Sequence, residues 1–289
     1  MTPVLPRRCA RHRGSGSGAH AAADDDAVAN RRAVTLEIAF VLVAAFGAGF
    51  IDAMAGGGGL VQLPALFAAF PAAPHTTLLG TGKLAGLAGT TSAIARFVRH
   101  VRLDWTLVLP AAAGAFVTAL AGAWIATVFS PERFRTLVPL LLTAILLYTL
   151  LHRDLGTEHR PRRNDHHGRW LAAGSAGAIG LYDGFFGPGT GSFLVFLFVR
   201  VFGLDFLHAS ASAKIVNAST NVAALLLFGL TGELYWLLGS AMAACNVVGA
   251  QFGSHLAIRR GSSLVRRVFL VVVGLLIAKT AWDALRLHL

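Results

Sequence analysis

Apolar stretches of about twenty residues, each nearly free of charge, recur along this 289-residue chain, the first running from Val34 to Ala55. Each is long enough to cross a hydrocarbon core of about 30 Å as a helix. In lipid every backbone N–H and C=O must be satisfied internally, which leaves helices or a closed barrel. The Leu/Ala/Val/Gly runs do not alternate as barrel strands would. With 55% hydrophobic and 13% charged residues, the chain has too little polar surface to coat a soluble globule. It is predicted to be an all-α polytopic membrane protein with the lipid bilayer as a partner.

The net charge of +11 does not point to nucleic acid. Of the 25 basic residues only three are lysines, and the arginines cluster at segment ends and in loops, where they meet headgroups and hold loops in the cytoplasm. No aromatic-interleaved basic patch accompanies them. Cys9 and Cys245 lie far apart, with no zinc or redox spacing. No metal, cofactor, or nucleophile with its base is expected, and hence no enzyme.

Residues 1–33 mix arginine, Gly-Ser repeats and three consecutive aspartates and read as a disordered tail. Residues 34–151 form a first membrane region, 152–169 a basic polar loop and 170–289 a second membrane region. The loop holds five Arg, four His and three acidic residues without regular spacing, which fits a solvated, headgroup-facing segment better than a metal site.

The two membrane regions repeat one programme. Gly49-Phe-Ile-Asp-Ala-Met-Ala-Gly-Gly-Gly-Gly59 returns as Gly180-Leu-Tyr-Asp-Gly-Phe-Phe-Gly-Pro-Gly-Thr-Gly191, and 183 − 52 = 131 separates the two aspartates. The same gapless shift pairs Lys83 with Lys214 and Trp105 with Trp236. Matches among residues this rare predict two homologous repeats, each of about four spans plus a short re-entrant or broken helix. Internal repeats of this kind mark secondary transporters, whose substrate sits at the repeat interface. The short apolar pieces, Leu60–Phe70 and 188–203, set the topology: if re-entrant, the repeats are parallel; if they cross, inverted. Arginine counts at segment ends do not separate the two, and the shortness of the first piece favours the re-entrant form.

Charges inside such segments are costly and require a reason. Asp52 and Asp183 are candidates to carry a coupling ion, or to pair with lysines or cap the interrupted helices. Gly56, Gly57, Gly58 and Gly59 in the first motif and Gly187, Gly189 and Gly191 in the second let the backbone leave helical geometry. The N–H groups that open the next half-helix then form an anion site. Lys83 and Lys214 add compact positive charge suited to a small oxyanion. Each aspartate has its expected counterpart in the next lysine along the chain, Asp52 with Lys83 and Asp183 with Lys214. Thr81, Ser212 and Asn217 add neutral donors, as do Thr90 and Asn221. His75, His208 and His255 are further candidates to relay protons.

The glycine motif, the Gly80-Thr-Gly-Lys-Leu84 string, and their echoes at Asp183–Gly191 and Ser212-Ala-Lys-Ile-Val-Asn217 resemble the sulfite exporter TauE/SafE family. The resemblance implies a bacterial inner-membrane transporter of sulfite, sulfonates or related sulfur oxyanions. Gly82 departs from it, standing where family members often carry asparagine. The expected function is proton-coupled secondary transport of a small anion, with a passive anion channel as the alternative.

Overall fold

The computed structural model describes residues 16–130, 166–232 and 234–287, and among these every regular element is a helix. Glycine and capping aspartates set the boundaries. Helix α1 (Gly16–Ala55) stops where Gly56 and Gly57 take φ of 76° and 91°, a region closed to residues with a Cβ except at a cost. The short α2 (Gly59–Ala69) ends before Pro71 and Pro74, and α3 (His75–Phe97) starts directly after Pro74. Helix α4 (Trp105–Val128) opens on Asp104, whose carboxylate accepts from the Thr106 N–H at 3.1 Å and satisfies an orphan donor of the first turn.

The same order follows in the second part of the chain. Helix α5 (His166–Phe185) ends before Gly187 and Gly189, with φ of 98° and 86°. Then come α6 (Thr190–Arg200), α7 (Phe206–Leu230) capped by Asp205, and α8 (Trp236–Leu287), which is broken at Gly261. Helices α2, α3 and α4 start at 59, 75 and 105, while α6, α7 and α8 start at 190, 206 and 236. Each start is thus displaced by the same interval that separates Asp52 from Asp183.

Helix α1 reaches back to Gly16, into the stretch read from sequence as a tail. The alanines at 19, 21–23, 27 and 29 favour helix over coil. The expected segment Pro131–Leu151 and the polar loop up to residue 165 lie outside the described residues. The chain divides into two units, Met1–Ala39 and Phe40–Leu289, and the packing contacts and the cavity lie within the second.

Three helical stretches, Thr35–Ala55, Trp105–Val128 and Phe206–Leu230, are long and apolar enough to cross a membrane. The distribution of polarity suits that solvent. Trp124, Trp170, Trp236, Leu237 and Phe252 stand more than half exposed, while Lys83, Asp183, Lys214, Asn217 and Asn246 are buried. A water-soluble protein places these classes the other way round.

Helix pairs interlock through glycine. Helix α4 packs along α5, and α3 along α8. A Cβ added at Gly122 of α4 would stand 2.1 Å from the Leu181 carbonyl of α5, and one at Gly253 of α8 would stand 2.3 Å from the Phe50 carbonyl of α1. Backbones can approach this closely only where the side chain is absent. Gly114 does the same, an added Cβ there standing 2.3 Å from the Ala173 carbonyl.

Candidate functional site

The two glycine breaks meet. A Cβ at Gly56 would lie 2.3 Å from the carbonyl carbon of Gly191, and one at Gly59 would lie 3.4 Å from Pro188. The first turns of α2 and α6 therefore begin side by side. The opening N–H groups of a helix have no partner within it, and its dipole makes that end partially positive.

Beside the breaks lies a cavity of about 60 Å³. Of the residues singled out from sequence, Asp52, Gly57, Gly58, Gly59, Lys83, Asp183, Gly187, Gly189, Gly191 and Asn217 line it. Thr90 and Asn221 do so as well. Four others stand elsewhere. Gly56 forms the turn behind the wall. Thr81 is spent on structure, its hydroxyl donating to the Thr77 carbonyl at 2.7 Å and accepting from the Tyr235 N–H at 3.0 Å. Ser212 and Lys214 are buried outside the lining.

The charges pair across the chain rather than within each motif, which corrects the expected partnership of each aspartate with the next lysine along the chain. Lys83 Nζ on α3 lies 2.8 Å from Asp183 Oδ1 on α5, both nearly solvent-free. Lys214 Nζ on α7 donates to the backbone carbonyl of Asp52 at 2.5 Å and lies 5.6 Å from the centre of the Phe97 ring. The crossing follows from the fold: the end of α1 lies against α7, where Ser210 also donates to the Met54 carbonyl at 3.2 Å. Helix C-termini carry negative dipole charge, and each break brings its helix end to the lysine of the other half.

The two lysines thus do different work. Lys214 caps a helix terminus behind the wall, whereas Lys83 stands in the wall and holds one carboxylate oxygen. The second oxygen of Asp183, Oδ2, is buried with no hydrogen-bond partner among the described residues. A buried acceptor left in this state costs about 1–3 kcal/mol and is a receptor for a proton or a donor. Asp52 also faces the cavity. Its carboxylate accepts from the Gly58 N–H at 3.3 Å and from the Thr90 hydroxyl at 3.4 Å, and no ammonium or guanidinium among the described residues pairs with it.

Among the lining residues that escaped the sequence reading, two are amides. Gln62 on α2 and Asn246 on α8 are both buried. Asn246 Nδ2 donates to Gln62 Oε1 at 2.8 Å, and Gln62 Nε2 donates to the Gly82 carbonyl at 2.8 Å. An uncharged amide within an apolar run is the signal that marks them, fainter than a charge. None of His75, His208 and His255 lines the cavity. His75 bonds the Ala126 carbonyl at 3.2 Å and His208 pairs with Asp205 at the start of α7, while His255 is exposed. No cluster of ligands able to hold a metal occurs among the described residues.

Comparison with known proteins follows the same lines. The family described as sulfite exporter TauE/SafE matches residues 41–280. The probable membrane transporter protein YfcA of Escherichia coli strain K12 is 38% identical over 237 residues, covering 82% of this chain and 87% of that protein. The probable membrane transporter protein ORF9 of Sinorhizobium sp is 37% identical over 81% of this chain and 88% of its own length. A probable membrane transporter protein of Haemophilus influenzae is 33% identical over 85% and 95%. No solved structure matches the chain.

Proposed function

This chain belongs to the sulfite exporter TauE/SafE family of membrane transporters, and on that premise we propose that it carries a small sulfur oxyanion, sulfite or a sulfonate, by proton-coupled secondary transport across the bacterial inner membrane. The observation that carries the reading is the half-satisfied pair in the cavity wall. Lys83 holds one oxygen of Asp183 while the other oxygen is buried without a partner among the described residues. An arriving oxyanion competes with Asp183 for Lys83, and a proton on the displaced carboxyl removes the resulting unpaired charge.

Charge balance supports the coupling. Lys83 and Lys214 offset Asp52 and Asp183, so the charges of the site cancel and a bound monovalent anion adds an uncompensated negative one. In a low-dielectric interior such an excess is costly. A proton carried with the anion restores neutrality, and Asp52, which no ammonium among the described residues pairs with, is a second carboxylate placed to take it.

The constant offset between helix starts and the left-handed glycines at 56 and 187 support a duplicated architecture with the site between the repeats. Helices α2 and α6, eleven residues each, are about 16 Å long. That length falls well short of the hydrocarbon core and supports re-entrant or broken segments. In proteoliposomes, sulfite uptake is expected to saturate and to follow an imposed pH gradient. Non-saturating conductance without proton movement would make the chain a passive anion channel instead.

A further inference from the structure

We propose that Gln62 and Asn246 are specificity-determining ligands of the cavity, donating amide N–H bonds to the oxygens of the bound oxyanion. The inference rests on the anion reading above and assigns a role to two residues which that reading does not use.

The orientation of the pair is chemically determined. The Gly82 carbonyl can only accept, so the group Gln62 turns towards it must be the NH₂. That leaves Gln62 Oε1 facing Asn246, which must then donate through Nδ2. Each amide nitrogen carries two hydrogens, and each of these bonds consumes one. Among the described residues neither nitrogen makes another hydrogen bond. Both residues line the cavity that Lys83 faces.

The fold is shaped around this pair. A Cβ at Gly89 would stand 1.8 Å from Asn246 Oδ1, and one at Gly49 would stand 2.8 Å from the same atom. Helices α1 and α3 therefore both omit a side chain where Asn246 enters. Gly82 likewise leaves the Gln62 amide against the backbone of α3, a Cβ there lying 3.5 Å from Nε2. Interhelical bonding alone accounts for the first hydrogen on each nitrogen but not for the second.

The arrangement occurs on one side only. At the offset that relates the two halves, Gln62 corresponds to Phe193 and Asn246 to Ala115. Phe193 packs its ring on Tyr182 at 5.8 Å, and Ala115 is fully buried. This amide pair thus accompanies Lys83, the lysine in the cavity wall, and has no equivalent at the corresponding positions of the other half. Neutral donors suit the task because they engage several oxygens without adding charge to a balanced site. A halide offers these donors a single centre in place of several oxygens.

Competition for uptake in proteoliposomes tests this, with sulfite and chloride as probes against Gln62→Met and, independently, Asn246→Ala. A hydrogen bond to a charged group is worth about ten- to hundredfold in affinity. Sulfite affinity is therefore expected to fall by that factor in either variant, with chloride changed less than about threefold, so that the sulfite-to-chloride ratio collapses. A merely structural amide pair lowers both affinities together and leaves the ratio at its wild-type value, which would overturn the proposal. Should wild-type protein take neither anion, the transport reading itself falls and this proposal with it. Wild-type uptake with unchanged ratios in both variants removes only the amide ligands.

Discussion

Lys83 and Lys214 occupy equivalent positions on α3 and α7, helices that start at 75 and 206, yet their surroundings differ in kind. Lys83 meets a carboxylate whose other oxygen has no partner among the described residues, in a cavity wall that also holds Gln62 and Asn246. Lys214 meets a backbone carbonyl and an aromatic ring, outside the lining. On the proposed reading the Lys83 side serves as the binding face and the Lys214 side as the brace. Two lysines that are equivalent in sequence pattern become unequal through what the opposing helix presents.

The sharpest way to break this contrast is to remove Lys83. Lys83→Met leaves Asp183 as an uncompensated buried charge, and stability is expected to drop by about 3–5 kcal/mol. Sulfite uptake disappears with it. Adding Asp183→Asn to that variant removes the stranded charge, so thermal stability returns while uptake does not. Recovery of uptake in the double variant would show that the pair only holds the bundle together.

The glycine breaks offer a second contrast. Gly56 and Gly187 both sit at positive φ, where any side chain costs about 1–2 kcal/mol. They differ in what a Cβ would strike. At Gly56 it meets the Gly191 backbone at 2.3 Å, which cannot yield, whereas at Gly187 it meets the flexible Lys83 Nζ at 2.9 Å. Gly56→Ala is expected to destabilise more than Gly187→Ala in chemical denaturation, while Gly187→Ala impairs sulfite binding more per folded molecule.

A smaller effect is expected at Asp52. Asp52→Asn keeps a group able to accept from Gly58 and Thr90 but can no longer carry a proton. Stability changes little. If Asp52 takes the coupling proton, the accumulation driven by a pH gradient, about tenfold per unit for one proton, collapses while exchange of sulfite at equal pH persists. Unaltered gradient-driven accumulation would assign the proton to Asp183.

Much of this was legible before any coordinates. Asp52, Lys83 and the glycine runs stand out because lipid-embedded helices have no ordinary use for them, and both aspartates, Lys83 and six of the seven motif glycines line one cavity. The pairing was not legible. Sequence separation suggests Asp52 with Lys83, but which helix end meets which lysine depends on how the two breaks cross, a tertiary matter. Thr81 and Ser212 have the right donors on the right helices, yet they fall outside the lining. Gln62 and Asn246 were overlooked because an amide in an apolar run is a weaker anomaly than a charge, and their contact joins distant parts of the chain. The helical start at Gly16 was hidden by a composition that mixes alanine with glycine and aspartate.

The central claim is that the two lysines have separate roles, and sulfite affinity measured on purified, folded protein tests it most directly. Lys83→Met/Asp183→Asn should lose sulfite binding altogether. Lys214→Met, acting only through space, should reduce affinity at least about tenfold less than that, while unfolding more readily by about 1–3 kcal/mol. Equal loss of affinity in the two proteins, or full binding in the Lys83 variant, would contradict the account.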